Sequence, residues 1–170
     1  MTNRYDSQKM NALVNKIYQA YGFSKENSQK IADALIYTDL HGITSHGVQR
    51  LALYDRFIQN DKIRIDSHPE IEKETDVSAV IDANFGSGQL NGMYSMEVAI
   101  EKAKAHGVGI VTTKRSGHYG IAGYYANLAA EQGLIGMSSC NSRPGMIPTN
   151  AKKAFNWYKS NCICDAGKAT

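Results

Sequence analysis

Apolar positions open the chain in a helical rhythm. Met10, Leu13, Val14, Ile17, Tyr18 and Tyr21 recur every three or four residues, and Gly22 follows. That spacing predicts a helix with one buried side, stopped by the glycine. Ser24 predicts the N-cap of a second helix, with Ile31, Leu35 and Ile36 facing inward and Gly42 ending or kinking it. A third run extends from Thr44 to about Asn60, with Val48, Leu51, Phe57 and Ile58 on its core face. Read as one helix, it sets His46, Arg50 and Tyr54 at i, i+4 and i+8, a ridge that drifts only about 40° per step.

Residues 61–76 (D-K-I-R-I-D-S-H-P-E-I-E-K-E-T-D) lose this rhythm and become charged, with Pro69 inside. They read as a connector, and His68 as exposed. After them the period changes. Ser78–Ala83 predicts a short strand, Gly86–Gly88 a turn, and Leu90–His106 a helix whose first turn Gly92 weakens. Gly107 caps that helix, and His106 sits well against its dipole. Val108–Thr113 predicts a second strand, the stretch from Gly120 toward Gly133 a helix, and Leu134–Cys140 a third strand. Strand, helix, strand, helix, strand predicts an α/β unit with parallel pairing. The expected organisation is a helical subdomain at 1–60, the connector at 61–76 and the α/β unit at 77–155. A tail at 156–170 follows.

Composition narrows the function classes. The chain has 170 residues, 42% of them hydrophobic and 21% charged, as in globular proteins. A net charge of +3, with no basic stripe interleaved with aromatics, gives no footprint for nucleic acid. No apolar run approaches the roughly 18 residues of a membrane span. The N-terminus is polar and lacks a signal-peptide core. Three cysteines, two of them in the last ten residues, suggest a reducing compartment, hence the cytoplasm. Cys162 and Cys164 have no second pair at zinc spacing, so no metal site is expected.

Two stretches carry candidate chemistry. The first is S-G-H-Y-G-I-A-G-Y-Y, Ser116–Tyr125. It places His118 where strand becomes helix, beside glycines that let backbone approach a ligand. A tight turn with an exposed histidine would look the same. The second is the His46, Arg50, Tyr54 ridge beside Ser45, a sensible carboxylate surface because guanidinium offers fork geometry. A solvated polar face is the competing reading. Gly117, Gly120 and Gly123 give G-x-x-G-x-x-G, not the G-x-G-x-x-G of a Rossmann domain, and no acidic residue stands where a ribose would need it.

Three stretches together resemble the malate/L-lactate dehydrogenase family of NAD(P)-dependent oxidoreductases, whose fold is not Rossmann. They are D-L-H-G-I-T-S-H-G-V-Q-R-L-A-L-Y (Asp39–Tyr54), S-G-H-Y-G-I-A-G-Y-Y, and G-L-I-G-M-S-S-C-N-S-R-P-G-M-I-P-T-N (Gly133–Asn150). The resemblance covers nearly everything from Met10 to Phe155. It implies a helical N-terminal subdomain followed by a βαβαβ unit of that family's fold. It also implies interconversion of a small malate- or lactate-like 2-hydroxy acid and its 2-oxo acid, with NAD or NADP as cofactor. By the same resemblance His118 is the proton donor and acceptor, with Ser45 and His46 relaying beside it. Arg50, with Tyr54 near it, grips the substrate carboxylate. His46, Tyr119, Gly120, Ile121, Ala122 and Ser142 meet the cofactor, and the family's members are homodimers.

The tail departs from the family pattern, which would continue with something like I-G-T-N-P-I-A. Codons for Asn156–Cys162 exist that spell this string after a one-base shift. The sequence therefore suggests a frameshift near Phe155 and early termination, leaving the C-terminal half missing. On that expectation Trp157, Cys162 and Cys164 carry no function. The alternative to an active enzyme is then a non-catalytic remnant lacking part of its cofactor site.

Overall fold

The computed structural model describes residues 4–141, 144–146, 156–157 and 160–164. Contacts divide the chain into two compact units, Met1–Ile121 and Ala122–Thr170.

The first unit begins with a helical hairpin, α1 (Ser7–Tyr21) and α2 (Lys25–Leu40). Asp6 starts α1 by accepting the Lys9 N–H at 2.8 Å, and Gly22 ends it with a left-handed φ of 108°. Ser24 caps α2 by accepting from Asn27 N–H at 3.1 Å. Each cap satisfies a backbone group the helix cannot satisfy itself. Val14, Tyr18, Phe23, Ile31, Ala32 and Leu35 form the core here, joined by Tyr54, Ile58 and Ile63. Burial of this apolar surface is what holds two otherwise marginal helices.

The third run is not one helix. Thr44–His46 and Val48–Arg50 are separate 3-10 turns, and only α3 (Leu51–Gln59) is α-helical. Gly47 breaks the run with ψ −143°. The continuous ridge expected from the spacing therefore does not exist. Ile58 is buried as expected and Val48, Leu51 and Phe57 pack at the core's margin, but the residue of α3 most deeply buried is Tyr54, at 1% exposure.

A three-stranded sheet of order β1-β2-β3 follows. β2 (Ser78–Asp82) and β3 (Ile110–Lys114) are parallel, joined through α4 (Gly88–His106), as the alternation predicted. β1 (Glu70–Glu74) lies antiparallel on β2, inside the stretch expected to be a connector. All five of its residues are exposed, so E-I-E-K-E shows no apolar alternation for a sequence reading to detect. It is tied down by ion pairs: Lys114 Nζ to Glu72 and Lys102 Nζ to Glu74, each at 2.7 Å. Ala79, Ile81 and Val98 form a second small core between sheet and α4. α4 starts two residues earlier than expected, at a glycine with a packing reason given below.

In the second unit, α5 (Ala122–Ala130) packs with β4 (Gly136–Cys140). A Cβ at Gly136 would lie 2.1 Å from the Ala126 carbonyl oxygen, so helix and strand touch through backbone. β4 was expected to pair in parallel with the preceding strands. It pairs antiparallel with β7 (Ser160–Cys164) instead. β5 (Pro144–Met146) and β6 (Asn156–Trp157) form another antiparallel pair. Backbone at 156–157 and 160–164 thus takes up strand pairing. A strand edge accepts any extended partner, because the bonds are made by main chain.

Candidate active site

The strand ends of the first unit build one side of the site. Arg115 Nε donates to Asp82 Oδ1 at 2.8 Å, and its Nη2 donates to Asp82 Oδ2 and Asn84 Oδ1. The guanidinium holds the Asp82 carboxyl well below the usual carboxylate range. Asn84, Phe85 and Arg115 all adopt left-handed backbone, with φ of 48°, 61° and 52°. Such residues are uncommon and persist where surroundings over-determine them. Here the Phe85 N–H donates to the Arg115 carbonyl at 2.7 Å, and the Gly117 N–H to the Gly86 carbonyl at 3.2 Å. A Cβ at Gly88 would sit 2.3 Å from the Gly117 carbonyl oxygen and 2.4 Å from that of His118. The start of α4 thus presses against the turn carrying His118, and only glycine fits there. Asn91, buried one turn on, donates from Nδ2 to the Ser116 hydroxyl at 3.2 Å.

The other side comes from residues 39–54. Asp39 Oδ2 accepts from the Val48 N–H at 2.9 Å. A Cβ on Gly47 would fall 2.0 Å from Asp39 Oδ1, so the carboxylate occupies the space a side chain would take. Arg50 Nε donates to the Ser45 carbonyl, closing the 3-10 segment on itself. Ser45 Oγ and His46 Nδ1 are hydrogen-bonded at 2.9 Å.

The two sides meet at His118. Tyr54 Oη is 2.9 Å from His118 Nδ1. The His46 and His118 rings stack with centroids 5.6 Å apart and planes 25° from parallel. Burial pushes the His118 imidazole down to about 4, and the charges of His46 and Arg50 push the same way. The His46 imidazole is lowered first by burial and then by Arg50. Burial raises the Tyr54 phenol, opposed by Arg50 and by the Gln89 amide. At neutral pH the site therefore holds neutral imidazoles beside one fixed positive charge.

Ser45, His46, Arg50, Tyr54 and His118 are brought together in this way, through separate turns instead of the expected ridge. Tyr119, Gly120 and Ile121 follow directly and are half-buried. The space where a Gly120 side chain would stand is open. Ala122 begins the second unit as the buried first residue of α5. Ser142 lies outside the described residues. Sequence reasoning missed Asp39, Gln89 and Asn91, polar residues on helices that carry no spacing signal. Gly88 was read only as part of a turn.

The malate/L-lactate dehydrogenase family matches residues 5–158, and the chain belongs to that family. It is 43% identical to a malate dehydrogenase of Pyrococcus abyssi over 146 residues, covering 86% of this chain and 40% of the relative. Against the L-sulfolactate dehydrogenase of Methanocaldococcus jannaschii the identity is 39%, over 83% of this chain and 41% of the relative. The solved malate dehydrogenase of Pyrococcus horikoshii OT3 superposes with a TM-score of 0.92 at 37% identity, over 95% of this chain and 46% of that one. The chain thus spans about two fifths of the length of the curated relatives it matches. Among the described residues, no helix is long and apolar enough to cross a membrane, and no His/Cys/Asp/Glu cluster could hold a metal ion.

Proposed function

We propose that the chain carries the acid–base and carboxylate-binding half of an NAD(P)-dependent oxidoreductase. Its reaction interconverts a small 2-hydroxy acid and the corresponding 2-oxo acid. Relatives are named for malate, sulfolactate and ureidoglycolate, all of which place a hydroxyl beside a carboxylate. One ureidoglycolate relative is named for NAD(+). The observation that supports this reading most is the meeting of His118, His46, Arg50 and Tyr54 at one place.

The residues around Gly120 fit the ring end of a nicotinamide. Backbone without a side chain, and open space over it, sit next to an imidazole. A bound nicotinamide supplies or takes the hydride at the substrate's second carbon. Arg50 binds the substrate carboxylate by its fixed charge. His118 exchanges the hydroxyl proton, and its depressed basicity keeps it ready to accept one at neutral pH. Carboxylate binding offsets the Arg50 charge that lowers His118, so the imidazole becomes more basic when substrate arrives. Ser45 and His46 orient and relay beside it. Tyr54 fixes the ring. A homodimer in the cytoplasm belongs to the same reading.

The test is oxidation of NADH and of NADPH by this chain with oxaloacetate, pyruvate and sulfopyruvate. Activity is expected with at least one pair. His118→Ala is expected to lower turnover by about 10²–10⁴-fold with little change in KM. Arg50→Ala is expected to weaken substrate binding by about 2–5 kcal/mol. Full activity in both variants overturns the assignments. A folded but inert chain supports the reading as a non-catalytic portion of such an enzyme.

A further inference from the structure

Where β2 and β3 end, Asn84, Phe85 and Arg115 hold left-handed backbone. Asparagine tolerates that region, but phenylalanine and arginine are strained in it. At position 115 a glycine would turn the chain freely, so an arginine there points to a need for its side chain. That side chain is engaged on several sides. Nε donates to Asp82 Oδ1 at 2.8 Å, and Nη2 donates to Asp82 Oδ2 and Asn84 Oδ1. The guanidinium carbon lies 5.3 Å from the centroid of the Phe85 ring. The Asp82 side chain is only 12% exposed, and its Oδ1 also accepts the Asn84 N–H at 3.0 Å. One carboxylate thus gathers both strained turns. His118 stands three residues beyond Arg115. The direction in which the chain leaves β3 decides whether its imidazole reaches Tyr54 Oη, 2.9 Å from Nδ1, and the His46 ring.

We infer that Asp82 is a positioning residue: its fork with Arg115 holds the left-handed turn that aims His118 at Tyr54 and His46. The argument runs from the strain. A strained residue persists only where its surroundings over-determine it. The bidentate pair supplies that hold, because carboxylate and guanidinium match in one plane and at one distance. Released from it, Arg115 would fall back to extended backbone, and β3 would run straight on past the root of α4. The Ser116 hydroxyl would then leave Asn91, the Gly117 N–H would leave the Gly86 carbonyl, and the imidazole would swing out of its buried place. The importance of this for catalysis rests on His118 being the acid–base group proposed above; the placement of the ring does not.

The experiment is an NMR pH titration of the histidine rings in the full, folded chain, which needs no turnover. His41, His68 and His106 are exposed and serve as references in the same spectra. Wild-type His118 is expected to titrate near 4, because its site keeps water from the charged ring. Arg115 holds the Asp82 carboxyl down to about 2, so the fork stays charged throughout. Arg115→Ala removes the fork and keeps the strain. The ring is expected to leave its place and titrate about one pH unit or more higher, toward the ordinary value of about 6.5. Arg115→Gly also removes the fork but lets the backbone turn freely, so His118 is expected to stay low. Asp82→Asn is expected to raise the midpoint, and adding Arg115→Gly to it to restore the low value. His46, Arg50 and Tyr54, the charged and titratable groups around the ring, are kept in every variant. An ion pair that only stabilises the fold would lower the melting temperature alike in the alanine and glycine variants and leave the midpoint alone. Wild-type His118 titrating near 6.5 overturns the inference. So does an unchanged midpoint in Arg115→Ala, or an equal rise in Arg115→Ala and Arg115→Gly. Should Arg115→Ala not fold, Asp82→Asn with and without Arg115→Gly decides by the same criteria. Any of these results leaves the oxidoreductase reading standing, and an inert chain with the expected midpoints leaves this inference standing.

Discussion

The α1–α2 hairpin and the segment that follows it solve the same problem in opposite ways. In the hairpin, side chains serve the backbone at the two helix starts; beyond them backbone groups satisfy one another and side chains are free to pack: Val14, Tyr18, Ile31 and Leu35 are all buried. Between Thr44 and Arg50 two 3-10 turns, interrupted at Gly47, stand in place of a helix, and side chains serve the backbone throughout. Asp39 takes the Val48 N–H, and Arg50 reaches the Ser45 carbonyl. Regularity gives the hairpin its stability. Irregularity lets His46 and Tyr54 both meet His118, which a straight ridge drifting around a helix would not arrange. Side chains that brace a turn are thus close relatives, in position and type, of those that face a ligand.

The bracing of residues 44–50 is most vulnerable at Gly47. Gly47→Ala drives a methyl into the Asp39 carboxylate, which must leave and abandon the Val48 N–H. A loss of about 1–3 kcal/mol is expected in denaturant unfolding, together with a loss of any activity. Asp39→Ala should cost less, since it leaves the donor exposed to water that can enter the vacated space. Equal stability of Gly47→Ala and wild type would show that the segment is not braced in this way.

Acid should separate the two regions next. His118 has a folded value of about 4 against about 6.5 when unfolded. Between those values the opened chain binds a proton that the folded site does not, so stability rises with pH through the window and falls on acidification. Amide exchange at residues 116–120, corrected for its intrinsic rate, should therefore quicken relative to α1 and α2 as pH drops from 6.5 toward 4. His118→Gln should flatten that difference. Uniform loss of protection across both regions would contradict it.

The mildest change belongs to the hairpin. Ser24→Ala removes the acceptor for the Asn27 N–H and should cost about 1 kcal/mol in thermal unfolding. Kinetic constants should not move.

The hairpin was legible because its signals are local. A cap serine, a stop glycine and a 3.6-residue rhythm sit within a few residues of what they control. The same holds for the parallel pair β2 and β3 around α4. The ridge was misread because ψ at Gly47 answers to Asp39, eight residues away and on another element. β1 was invisible because its pairing uses main chain and ion pairs, not apolar faces. β4 was assigned its position but not its partner, since parallel and antiparallel edges look alike in sequence. Among the site residues, His118 and Arg50 stood out by residue type and motif. Gln89 did not, because a buried amide in a helix looks like any surface amide until its neighbours are known.

The close approach of Gly88 to the carbonyls of Gly117 and His118 has a mechanical consequence. With no side chain between them to yield, the turn and the root of α4 must shift together. α4 is 19 residues long, a rod of about 28 Å. A tilt of a few degrees where the imidazole sits therefore becomes an ångström-scale sweep at the other end, where His106 lies exposed. Motion at the chemical centre is geared, through two glycine backbones in contact, to a point on the protein's outside.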